Sequence, residues 1–180
     1  MVSKEPKIGV NPLIHGEASW LLAQKLKSRR DRVLVVLAGI SPDVDGVSLL
    51  FGEEAYGRWH HVLTHGLVSA VAFSVMFGLF ANERRLVALL AFAAFHLHLV
   101  CDLAGSGPGW PIVYWWPFSR AELAWSGQWD LASWQNAVFG LSATLLCLAC
   151  ALKFGRTQFE LFSVRLDSAV VKTLRARFGR

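Results

Sequence analysis

What limits this chain most is a set of apolar runs too long for strands: Gly66 to Ala81, Leu86 to Leu103 and Ala137 to Leu152, with a shorter one from Val33 to Ile40. None alternates polar and apolar residues as a half-buried strand does, so all read as helix. A further helix is expected over about Gly16 to Ser28, ending in the basic cluster Arg29, Arg30 and Arg32. The three long runs have about 15 to 18 residues each, short of the ~20 that cross a bilayer, and flanking Trp and Arg side chains can close the gap. Apolar residues make up 54% of the chain and charged ones 17%; a soluble domain has nearly half and about a quarter. The expected fold is all-α, a multi-pass helical membrane bundle formed by residues 1–180 as one domain. A soluble all-α core is the alternative.

The net charge of +5 comes from 18 Lys and Arg against 13 Asp and Glu, and its placement matters more than its size. If consecutive segments run antiparallel, the basic turns KSRRDR (27–32), NERR (82–85) and Lys153 to Arg156 share one end. By the positive-inside rule that end is cytoplasmic. The polar start MVSKEPKIGVNP has no apolar h-region, so insertion is expected to use internal segments and not a cleavable signal peptide.

The opposite end collects His15, Asp43, Asp45, His60, His61, His65, His98 and Asp102 on the same antiparallel reading. His98 and Asp102 stand four apart, so both project from one helix face and can share a cation, or the carboxylate can orient the imidazole. Ionisable groups inside an apolar helix usually have a functional or pairing reason. His96 points to the other side and reads as structural. In RWHHVLTH, a helix would put His61 and His65 on one face, while a later helix start would turn His60 inward; either of the adjacent pair can be the ligand. Asp43 and Asp45 lie in a turn after Pro42, and two carboxylates so close repel unless a cation or donors compensate. The set suffices for one or two divalent ions, with zinc the first choice and manganese or iron also suited. Such ions activate water for attack on an ester or phosphoester, with Asp43 or Asp45 as general base. No P-loop, nucleophile elbow or dinucleotide fingerprint is present.

The segment Ala104 to Asn136 holds six of the eight tryptophans and reads as an interfacial loop, as an anchor or as a lid over the site. Arg120, the one Lys or Arg between Arg85 and Lys153, and Trp116 are candidate substrate contacts. Residues 157–178 repeat apolar positions at helical spacing among Arg165, Lys172, Arg175 and Arg177, as a basic amphipathic helix on an anionic leaflet does. Lipid is therefore an expected partner, nucleic acid is not, and the oligomeric state is open. Cys101, Cys147 and Cys150 read as packing residues.

Taken in order, LIHGEAS, SPDVDG, HHVLTHGL, HLVCD and YWWPFS span residues 13–119. This pattern resembles the LexA-regulated, membrane-bound metal-dependent hydrolase family of the YdjM type. The resemblance implies an inner-membrane, metal-dependent hydrolase with Asp43, Asp45, His60, His65, His98 and Asp102 at motif positions. His60-His61-Val62 stands where many members have His-Arg-Gly, a departure that leaves His61 without a role carried over. A looser likeness to zinc-dependent phospholipase C raises a lipid or other phosphoester as substrate. The HD phosphohydrolases are not expected, because no His-Asp dipeptide occurs. Two further functional classes remain beside the membrane hydrolase: a membrane protein that binds metal for structure, sensing or transport, and a soluble helical metallohydrolase.

Overall fold

A computed structural model describes residues 12–179. Seven α-helices occur among them: α1 (Pro12–Leu22), α2 (Arg29–Ile40), α3 (Glu53–Trp59), α4 (Leu67–Leu79), α5 (Arg84–Gly105), α6 (Trp134–Phe154) and α7 (Val164–Phe178). The polar N-terminal stretch, on which the signal-peptide expectation was based, lies outside the described residues except for Pro12.

Three expectations about boundaries are corrected. SPDVDG is not a simple turn. Pro42 lacks the N–H that would continue α2, yet the chain tightens into a 3-10 stretch, Ser41–Phe51, and keeps its direction. Arg29–Phe51 thereby becomes one 23-residue rod whose most apolar 18 residues have a mean hydropathy of 1.8. The apolar runs are also not short of a span: α5 and α6 recruit the polar residues at their ends and reach 22 and 21 residues, each with an 18-residue stretch of mean hydropathy 2.0. At ~1.5 Å per residue each exceeds 30 Å, the thickness of a bilayer core. Finally, α1 stops at Leu22, and a 3-10 turn (Ala23–Lys25) follows before Leu26 turns extended.

The basic turns are fastened to one another. The Asp31 carboxylate accepts the backbone N–H groups of Asn82 and Glu83 at 2.9 and 3.0 Å, pinning the α4–α5 turn to the start of α2. Arg32 pairs with Glu160, both nearly buried, and the Trp20 indole N–H donates to the same carboxylate at 2.8 Å. Arg156 donates to the Gln24 side chain and carbonyl. At the far end Asn136 donates to the Gly105 carbonyl at 2.9 Å, so α6 starts where α5 stops. The helices thus alternate in direction, as the charge pattern requires.

Ala23, Leu26, Val35, Val87 and Ala94 pack at the fastened end. Cys147 and Cys150 join Trp20 and Val36 in a second cluster, as packing residues. Outward, the bundle is apolar: Val71, Val75, Leu79, Leu89, Val100, Leu141, Leu145 and Leu146 are all exposed. Only 22% of the span in α6 is buried within the protein. So large an apolar surface needs lipid or a partner against it, which counts against the soluble alternative. The tail is helical from Val164, after a 3-10 turn at Gln158–Leu161, and α7 leaves Val164, Leu166 and Phe178 exposed.

Candidate metal centre

Three polypeptide stretches meet at the end opposite the fasteners. The 3-10 rod brings Asp43 and Asp45, the loop after α3 brings His60, His61 and His65, and the last turns of α5 bring His98 and Asp102. His15, on α1, completes the ring by stacking on His98 with centroids 3.7 Å apart. All eight residues singled out for this end therefore lie together. His96 lies apart, bonded through Nε2 to the Tyr114 hydroxyl at 2.9 Å.

The histidine loop is not the helix expected over RWHHVLTH. His60 ends α3 with an extended backbone, and His61 adopts φ +66°, a left-handed conformation uncommon for a residue with a side chain. That reversal is why two adjacent residues both turn inward. His60 and His61 are 5% and 1% exposed, with ring centroids 4.4 Å apart. A regular helix would have pointed one of them away. Thr64 holds the loop to the rod: its hydroxyl donates to the Pro42 carbonyl and receives the Asp45 N–H at 3.2 Å.

Asp45 has a different position from the one expected. Its two oxygens take the Nδ1 atoms of His60 and His65 at 2.7 and 2.9 Å. A carboxylate can only accept, so each ring donates Nδ1–H, and in its neutral form keeps a lone pair on Nε2. His98 is fixed in the same way by the Gly39 carbonyl, 2.8 Å from its Nδ1. Gly39 has no room for a side chain: a Cβ there would lie 2.7 Å from that of Ser19. Sequence reasoning missed this carbonyl, for which no side-chain signal exists. It also missed Ser106, whose hydroxyl donates to Asp102 Oδ1 at 3.0 Å.

The Nε2 atoms of four rings gather around Asp102. Those of His98, His65 and His61 lie 2.9, 3.4 and 3.7 Å from its Oδ2, and that of His15 lies 3.4 Å from Oδ1. None of the four makes a hydrogen bond, nor do His60 Nε2, Asp43 Oδ2 or Asp102 Oδ2, although all are buried. Unsatisfied buried groups are costly, and atoms bearing lone pairs at these separations need protons or cations between them. Protonating all the rings would crowd several positive charges into one site. His61 resists it most plainly: burial, together with the neighbouring His65, pushes its imidazole down to about 3. One or two cations satisfy the same atoms with less crowding, so the donor set fits a metal. Two overlapping groups have ligand atoms within 4.8 Å of one another: Asp43, His65, His98 and Asp102, and His60, His61 and His65.

Beside the histidines lies a cavity of about 590 Å³ between α3 and the tryptophan-rich loop. Within that loop two mutual backbone bonds between Ile112 and Leu123, at 2.9 and 2.8 Å, hold its two lining stretches side by side. Arg120 and His60 both line the cavity, whereas Trp116 sits in a neighbouring turn and does not.

Fold and site together define the class: a multi-pass helical membrane protein whose described residues include His and Asp groups, gathered at one end, that can hold a metal ion. A family model described as YdjM inner membrane protein matches residues 12–164. The chain belongs to the YdjM inner membrane protein family. Neither a curated protein nor a solved structure matches it.

Proposed function

We propose that the protein is a membrane-bound, metal-dependent hydrolase acting on an ester or phosphoester, lipid-derived or small and soluble. The observation that carries this reading is the set of unpartnered Nε2 atoms facing Asp102 and Asp43, in a site whose neighbour is a cavity. His65, His98, Asp102 and Asp43 would hold one ion, with His60 and His61 able to hold a second beside His65. Imidazole and carboxylate donors suit zinc, with manganese and iron as alternatives. A bound ion of this kind supplies Lewis-acid polarisation of the scissile group and acidifies a water. Asp45 orients His60 and His65 and is spoken for on both oxygens, so the carboxylate left to act as general base is Asp43, through whichever oxygen does not hold the ion. The basic, fastened end faces the cytoplasm and the site faces outward. Along the cytoplasmic leaflet, the exposed apolar residues and arginines of α7 rest on anionic lipid.

The test is metal analysis of detergent-purified protein, followed by a screen of phosphoester and lipid substrates with and without chelator. Hydrolysis that stops with chelator and returns with metal is expected. Metal held tightly with no turnover on any substrate would favour a structural, sensing or transport role instead. The burial of His15, His61, His65 and His98 at about 1% exposure or less is the feature that suits that second reading.

A further inference from the structure

The cavity beside His60 has a charge pattern that selects among phosphoesters. Glu54 is already engaged by Arg58, 2.9 Å away. That leaves Arg120, Glu53 and Glu122, each lining the cavity and none in an ion pair among the described residues. A ligand filling this space meets one unpaired cation and two unpaired carboxylates. A simple anion would satisfy the arginine and be repelled by the glutamates. A molecule carrying both a phosphate and an ammonium group satisfies all three. The inner wall is aromatic: Tyr56 stacks on His60 at 4.5 Å, and Trp110 stands edge-on to His60 at 5.9 Å. Aromatic faces suit an ammonium group as well. The wall residue His60 is 5% exposed and its Nε2 is unpartnered.

Hydrophobic side chains flank these charges along the chain. Leu50 and Phe51, immediately before Gly52 and Glu53, are 83% and 81% exposed, and Phe118, two residues before Arg120, is 84% exposed. Such residues at the open end of a membrane bundle suit acyl chains at the interface. We infer that the cavity receives the headgroup of a zwitterionic phospholipid, a phosphodiester bearing an ammonium group, with its acyl chains over Leu50, Phe51 and Phe118. The inference rests on the hydrolase reading only for the fate of the lipid. Hydrolysis there joins a water oxygen to phosphorus, breaks one P–O ester bond and leaves the water's proton on the departing alcohol.

Calorimetric titration of chelator-treated protein in detergent tests the binding directly, using short-chain phosphatidylethanolamine and phosphatidylglycerol as probes. The ethanolamine lipid should bind about tenfold or more tightly than the glycerol lipid. Arg120→Glu should weaken both by about tenfold or more, and the pair Glu53→Gln with Glu122→Gln should abolish the preference. Because these residues are exposed, the variants should keep the parent's melting temperature, and that measurement accompanies each titration. Equal binding of the two lipids, or an unchanged titration for a folded Arg120→Glu, overturns the headgroup site. Metal-loaded protein separates the two claims. Ethanolamine lipid that binds with the predicted preference, to protein that cleaves neither it nor any other ester or phosphoester, supports the headgroup site and removes the hydrolase reading. Chelator-sensitive cleavage of a soluble phosphoester, with no binding of the ethanolamine lipid, does the reverse.

Discussion

Asp45 is the residue on which the geometry of the centre turns, because it fixes which nitrogen of His60 and of His65 carries a proton. Asp45→Asn keeps the shape and puts an amide N–H against one ring. Metal affinity should fall by about 10- to 100-fold, the usual range for losing an orienting partner, as read by competition with a chromophoric chelator. Asp102→Ala and His98→Ala should instead strip the metal, and full metal content in either would remove that pair from the ligand set. Gly39→Ala is expected to act through packing, costing about 1–3 kcal/mol because the new methyl meets Ser19, and thermal unfolding in detergent would show it. At this scale the sequence was only partly legible. The i, i+4 spacing of His98 and Asp102 placed them on one face because both belong to a regular helix. The roles of His60, His61 and Asp45 depend on a left-handed residue and on a carboxylate shared across 15 to 20 positions. Neither has a local pattern.

Elements begin and end here by local rules, and their joints are made by long-range polar pairs. The long apolar runs announced α4, α5 and α6 because lipid exposure and burial both favour apolar residues along a helix. Their ends were misjudged because composition cannot say whether Arg84 or Trp134 is the last residue of a turn or the first of a helix. The 3-10 rod was missed for a related reason: Pro42 forbids one hydrogen bond without forcing the chain to change direction. Among the joints, Arg32–Glu160 is the most buried. Glu160→Ala leaves the guanidinium and the Trp20 indole without their acceptor, and should cost about 3–5 kcal/mol. The melting temperature should fall while bound metal per folded molecule stays unchanged.

For the molecule as a whole, charge placement and hydropathy together were enough to foresee the antiparallel bundle, since each turn carries its sign in plain view. The interior of the site was beyond that reasoning because loops, not helices, shape it. Two outcomes test the arrangement in a membrane. Leu145→Arg, on the exposed face of α6, should oppose insertion by about 2.5–3.5 kcal/mol and reduce the share of protein in the membrane fraction. In a background with Cys101, Cys147 and Cys150 replaced, Ser119→Cys should be labelled by an impermeant reagent added from outside, and Glu83→Cys should not. The reverse pattern would turn the protein over in the bilayer.

Asp31, Arg32, Gln24, Glu160 and Arg156 knot the helices together at the end away from the imidazoles. The loops 60–66 and 106–133 share the task of keeping the bundle closed, to which they add Thr64 on the rod and Ile112 packed with Phe95 and Leu99. Exposed loop positions such as Arg120 and Glu122 carry no such packing, so a protein built on this plan can acquire a new ligand there without first having to solve its folding again.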